Sequence, residues 1–286
     1  MKNSHLKNLS GLILATLFIS TSGVLGKYIA MPSEVIVWFR SAFAAVFLYL
    51  FCRFKKIDLE IKSKKDLTPF VISALFMAAH WITYFYALKL SNVALGMLSL
   101  FTFPIITALL EPLFIKTKFN PVHLVLGILV LVGIYILAPA FNLENSHLKG
   151  LLFGLFSALC YAIRILILKQ HIVNYNGTLL MFYQTLIITI CLFPVLFFMD
   201  LSGFISQFPY LVLIAFLTTA IGHSLMVHSL NYFSVSTASI ISSIQPIFGI
   251  IIAFLVMNEI PTFNTYIGGS LILLTVVIES IRSSKQ

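Results

Sequence analysis

ALKLSNVALGMLSLFTFPIITALLEPLFIKTKFN, residues 87–120, decides how the chain is read, because SLNYFSVSTASIISSIQPIFGIIIAFLVMNEIPT at residues 229–262 echoes it. An offset of 142 residues pairs Leu88 with Leu230, Val93 with Val235, Pro104 with Pro246, Ile105 with Ile247 and Leu113 with Leu255, and beyond the stretch Gly127 with Gly269. Each copy has a polar turn and then a long apolar run with a proline near its middle. Proline removes one backbone hydrogen bond and leaves the carbonyl four residues earlier, on Leu100 or Ser242, without its partner. Taken singly, each proline is explained as a packing bend. Paired interruptions at matching places in two halves of an apolar chain point instead to a transporter's binding site.

The composition confines such a helix to a membrane. Apolar residues make up 60% of the chain and charged residues 9%, and mean hydropathy is +1.04, far outside the range of soluble domains. Charge-free runs recur at the length of one membrane crossing, roughly 20 residues, and the longest, residues 201–258, holds two. With the spans interrupted by Arg40 and Arg164 and a last one ending near Glu279 added, the runs predict ten helices at residues 8–26, 33–53, 67–88, 92–115, 120–139, 148–169, 176–199, 208–230, 235–257 and 262–281. A closed barrel is excluded, since nothing alternates with period two between turn signals. The connections are too short for a soluble domain. The basic, then apolar, start resembles a signal peptide, but the run is long and opens a module that the second half repeats.

With the N-terminus cytoplasmic, 13 Lys and Arg fall on the inside and 3 (Lys27, Lys89 and Lys149) on the outside, with Arg40 and Arg164 inside spans. This bias places both termini in the cytoplasm. It also accounts for the net charge of +9 without a nucleic-acid partner. Five spans is an odd number, so the second copy inserts upside down. The expected fold is all-α and polytopic, with ten transmembrane helices in two inverted five-helix repeats, residues 1–143 and 144–286. Cys52, Cys160 and Cys191 have no CxxC spacing and read as apolar packing residues.

Candidate site residues follow from depth. Arg40 lies about 10 Å below the outer edge of the second helix at 1.5 Å per residue, where it either faces a cavity or snorkels outward. His80 and Trp81 lie near mid-membrane with Tyr84 one turn later, and together they offer a hydrogen-bonding group and flat rings to a small organic ligand. Phe103 precedes Pro104; Tyr161 is near mid-depth; Gln184 takes roughly the place in the second half that Arg40 holds in the first. His223 falls on the repeat position of Trp81, and Gln245 is a long amide beside the carbonyl freed by Pro246. Glu111 and Arg164 come to similar depth near the cytoplasmic side, and a charge pair between them would lower the cost of burying both. Gly150 and Gly154 form a GxxxG pair that serves either internal packing or dimerisation. Small residues in the first helix, Ser20, Thr21, Ser22, Gly23 and Gly26, read as close packing.

At WITYFYALKLSNVALGMLSLFTFPIITALLEPLF, residues 81–114, and SLNYFSVSTASIISSIQPIFGIIIAFLVMNEIPTFNTYIGGSLILL, residues 229–274, the chain resembles an EamA-type member of the drug/metabolite transporter superfamily. The shared pattern is an aromatic-rich helix, a small-residue turn, a central proline, an acidic residue and a glycine in the final helix. Trp38 to Arg40, WFR, resembles the family's second helix. One departure is that Glu259 precedes the last helix of the second half whereas Thr117 stands at that register in the first, with Glu111 six residues earlier. The resemblance implies two inverted repeats around a central cavity and alternating-access movement of a small metabolite such as an amino acid, often export, from a multi-pass position in the cell membrane, the inner one in a Gram-negative source. The expected partners are the lipid bilayer, a small-molecule substrate and a coupling proton or ion; no cofactor or metal is expected. The competing reading is an intramembrane enzyme acting on a lipid-soluble substrate, for which HExxH, GxSxG and GxGD patterns are absent.

Overall fold

The computed structural model describes residues 2–115, 121–137, 144–233, 235–242 and 244–283. Every regular element among them is helical. An apolar solvent demands this, because each backbone donor and acceptor must be satisfied within its own segment. The long rods are α1 (Lys2–Tyr28), α2 (Ser33–Phe54), α3 (Leu67–Leu90) and α7 (Ser146–His171). Asn92, Asn145 and Asn176 start three helices by accepting from the backbone N–H of Leu95, His147 and Thr178 at 2.7, 2.9 and 2.8 Å, the usual service of an asparagine N-cap. Among the described residues seven helical segments are long and apolar enough to cross a membrane, and two shorter apolar helices, Val125–Leu137 and Gln245–Met257, accompany them.

Both repeated stretches are broken. Residues 93–114 divide into α4 (Val93–Leu100) and α5 (Phe103–Phe114), with Phe101 and Thr102 in a turn. Residues 235–257 divide into α12 (Val235–Ser242) and α13 (Gln245–Met257), with Ile244 in a turn. Pro104 and Pro246 each take the second position of the new helix, where a missing N–H has no intrahelical partner to lose. Across the breaks the chain is carried by long i→i+3 bonds, Thr102 N–H to Ser99 O and Ile244 N–H to Ile241 O, both 3.4 Å. Thr117, at the acidic register of the first half, lies outside the described residues.

The remaining elements are α6 (Val122–Leu137), α8 (Gly177–Cys191), the short α9 (Val195–Phe198), α10 (Phe204–Leu213), α11 (Ser224–Ser229) and α14 (Phe263–Ser283). Between α10 and α11 the rod winds as a π-helix over Ile214–His223. α3 packs along α7 at the centre; α1 lies against the π-helical segment and α13, and α2 against α8. α6 and α14 pair at one side, at a distance set by glycine: a Cβ on Gly268 would stand 2.7 Å from the carbonyl oxygen of Gly133. Gly150 and Gly154 of the GxxxG pair face Ala87 and Ser91 and then Ser99 of the same chain, so this pair serves internal packing. Cys52 and Cys160 are buried and Cys191 is exposed, all as free thiols.

Candidate functional site

Helices from both halves meet around a small cavity of about 30 Å³. Its wall includes His80, Trp81 and Tyr84 from α3, Phe103 at the first position of α5, Tyr161 from α7, His223 at the end of the π-helical segment and Gln245 at the first position of α13. Ser22, Ile19, Leu100 and Phe101 complete it. The rings pack in two sets: Phe103 on Tyr161 at 4.7 Å and Tyr161 on His80 at 4.8 Å in one, and Trp81 on His223 at 5.6 Å between centroids in the other. Separations of this size with tilted or edge-on planes suit the ring quadrupoles. Ser157 donates its one proton to the carbonyl oxygen of His80 at 2.9 Å, so its oxygen accepts from Nδ1–H of the same histidine at 2.7 Å. The imidazole is thereby fixed in one tautomer and one orientation.

Arg40 and Gln184 are not on this wall; each stands one layer behind it. The Arg40 guanidinium donates through Nε to Thr219 at 2.6 Å, through Nη2 to Thr218 at 2.9 Å and through Nη1 to Ser22 at 3.2 Å, and its Cζ lies 4.0 Å from the Trp81 ring centroid. These partners hold it inside the bundle, so it does not snorkel. Gln184 is turned to Arg164, whose Nε and Nη2 donate to its Oε1 at 3.3 and 2.8 Å, and its own amide donates to Ser73 at 3.0 Å. The expected pairing of Glu111 with Arg164 is therefore corrected. Arg164 is fully buried on Gln184 and Met181, while Glu111 lies half-buried within electrostatic reach of Lys169, five residues or about 7.5 Å further along α7. Depth along the membrane normal placed the two charges level, but the direction in which each helix face points separates them.

Thr218, Thr219, Ser73 and Ser157 are site residues that sequence reasoning missed, and Ser22 was read as a packing residue. Adjacent hydroxyls at 218 and 219, at a depth shared with Arg40, were the available signal. The π-helical winding, which no proline marks, is what lets both reach one guanidinium.

Side chains tie loops and helix ends together on either side of the bundle. At one end Lys27 forms an ion pair with Glu259 at 2.6 Å and donates to the carbonyl oxygen of Ser91 at 2.8 Å; Glu259 also accepts from Val93 N–H at 2.8 Å. Lys89 donates to the carbonyl oxygen of Met31, and Tyr86 donates to Glu34 at 2.6 Å. At the other end Asp66 accepts from Tyr175 at 2.7 Å and faces His171 at 3.5 Å, Tyr183 donates to the carbonyl oxygen of Leu59 at 2.6 Å, and Lys169 holds that of Leu230 at 2.7 Å.

Two copies of one sequence profile match this chain, that of the EamA-like transporter family, at residues 6–138 and 148–281. The chain belongs to this family. The starts of the two matches are separated by the same 142 residues that align the two broken helices. The pseudopaline exporter CntI of Pseudomonas aeruginosa strain UCBPP-PA14 is 21% identical over 94% of this chain and 95% of its own length. An uncharacterized transporter of Archaeoglobus fulgidus is 25% identical over 68% of this chain and 70% of its own. A crystal structure of a protein 15% identical superposes with a TM-score of 0.72 over 98% of each chain, which establishes a shared fold. The EamA chain described here is thus a multi-pass membrane transporter.

The tie between Lys27 and Glu259 leads to a prediction. Their side chains are 19% and 21% exposed, so the pair is worth about 1 kcal/mol or less. If it latches this end, Glu259→Gln should raise the rate at which Leu100→Cys, on the cavity wall, reacts with a small methanethiosulfonate by up to about fivefold, measured in a Cys191→Ser background. An unchanged rate would remove the pair from the gate.

Proposed function

We propose that this chain is a secondary transporter that moves a small organic metabolite, an amino acid or related compound, out of the cell by alternating access. It uses ten transmembrane helices in two inverted five-helix repeats, residues 1–143 and 144–286, with both termini cytoplasmic, and it is not an enzyme. The observation that carries this reading is the cavity itself: walled by both halves, holding about 30 Å³, and set between two groups of loop ties. That is room for roughly one or two water molecules. A solute would enter only when one set of loop ties opens, and leave only when the other does, which is the cycle alternating access requires. The spacing of the two profile matches supports the repeat, and the resemblance to a protein named as an exporter supports efflux. The wall residues His80, Trp81, Tyr84, Phe103, Tyr161, His223 and Gln245 are proposed to touch the substrate. Uphill movement would draw on a coupled proton or ion.

Proteoliposomes loaded with a mixed pool of amino acids and small metabolites should release some of them through the purified protein in a saturable way, and unlabelled solute on one side should drive counterflow of labelled solute from the other. Linear, non-saturating flux would replace the transporter with a channel; a chemically altered product would replace it with an enzyme. The orientation has its own test. Cysteines at Asn3 and at Ser284, the latter outside the described residues, should be shielded from an impermeant thiol reagent in intact cells and react after permeabilisation. Labelling of both in intact cells would invert the topology.

A further inference from the structure

We propose that the substrate of this cavity is an organic anion, its carboxylate or phosphate group taken up by Arg40 and Arg164 as the cavity opens. This rests on the transport reading above and adds the charge of the cargo. Both guanidiniums are completely buried, on opposite halves of the chain, and each stands directly behind an aromatic wall residue: Arg40 with its Cζ 4.0 Å from the centroid of Trp81, Arg164 with its Cζ 5.6 Å from that of Tyr161. Every hydrogen-bond partner of either one is neutral: Thr218, Thr219 and Ser22 for Arg40, and Gln184, Met181 and Tyr161 for Arg164. The ion pairs among described residues are at the loop ties, with none at either guanidinium. His80 and His223 each lie within electrostatic reach of both guanidiniums, so the two positive charges act on the same small volume.

A buried charge is held at a large desolvation cost unless an opposite charge or a full set of hydrogen bonds compensates, and here the compensation is incomplete. Arg164 Nη1 is buried with no partner, and so is Nδ1 of His223 on the cavity wall. A molecule that must be taken into the membrane interior without water gains most from two positive groups if it is an anion. The forked donors of guanidinium match a carboxylate or a phosphate, and the aromatic wall suits an organic body rather than an inorganic ion. Opening the cavity by rotating Trp81 or Tyr161 is the step that would uncover the arginines, while the hydroxyls at 218 and 219 keep Arg40 aimed in the empty state.

The test pairs each acid with its amide: succinate with succinamide, benzoate with benzamide, and phenyl phosphate as the phosphate arm. Purified protein in detergent should be stabilised against heat by at least one anion and by none of the amides. Vesicles loaded with the same compounds should release that anion at least tenfold faster than its amide. Arg40→Gln and Arg164→Gln should each collapse the anion-to-amide ratio at least tenfold, a change of selectivity that a folding defect cannot imitate. Arg40→Lys should keep part of the preference. Release of succinate or benzoate identifies a carboxylate, and release of phenyl phosphate alone a phosphate. If amides leave as fast as acids, or if the arginine variants keep the ratio, the anion proposal is overturned while transport stands. If nothing is released yet an anion stabilises the wild type and neither arginine variant, the site stands and the transport reading falls.

Discussion

Gly154→Ala is expected to destabilise the protein by about 2–3 kcal/mol, the upper part of the range for an overpacked interior. A Cβ at this position would stand 1.9 Å from Oγ of Ser99 and 2.7 Å from its Cβ. Rotating the hydroxyl away relieves the first clash but not the second, because Ser99 Cβ moves only with the backbone of α4. α4 leads into the break at Phe101 and Thr102, so the strain arrives at the cavity wall. Thermal unfolding of the purified protein should show the loss, and Ser99→Gly in the same chain should restore most of it. Gly11→Ala, with nothing within 4 Å of the added carbon, should show no loss and a slight gain, since alanine favours a helix interior. A Gly154→Ala protein as stable as wild type would mean that α7 and α4 have room the described geometry does not give them.

The second large effect is expected where Arg40 is held. Replacing Thr218 and Thr219 together by valine keeps the volume and removes both oxygens that accept from Nε and Nη2. The guanidinium then keeps Ser22 and the Trp81 face and little else, at a cost of about 3–5 kcal/mol, as for other buried charges stripped of a partner. Adding Arg40→Met to the double variant should recover a large part of that stability without restoring a preference for an anion over its amide, because the methionine no longer asks for partners. Thermal unfolding of the four proteins completes the cycle. If the double variant unfolds at the wild-type temperature, water or another group satisfies the guanidinium and the threonines are not its support.

These two sites show which parts of the molecule the sequence discloses. Helix ends such as Leu67 and Met257 can be read from charge-free runs because the thickness of the apolar phase fixes how long a run must be. The breaks ahead of Pro104 and Pro246 can be read because proline acts on its own backbone. Seven side chains on the cavity wall could be found by counting depth from the helix ends, since helices crossing a common centre bring residues of equal depth together. Depth fails where direction decides, and Glu111 and Arg164 are the example. Gln184, one helix away, takes the guanidinium, while Glu111 lies within reach of Lys169 instead. Gly154 reads as one of many small-residue pairs until its neighbour Ser99 is known, because a contact between α7 and α4 belongs to the packing and not to either segment alone.

The ten residues from Ile214 to His223 close their turns one residue later than the helices on either side, which gives this rod a tolerance to length that its neighbours lack. Deleting a residue in the middle of α3 would rotate everything beyond it by about 100°, one residue's share of a 3.6-residue turn, and carry the inward face toward lipid. Deleting one between 214 and 223 can instead be absorbed by tightening the local winding toward the α form, with α10 and α11 staying near their places. Only one of the two hydroxyls would then be expected to remain opposite Arg40. A chain one residue shorter here would keep the bundle and alter the grip on the guanidinium, so this segment is where a change in length could adjust selectivity without costing the fold.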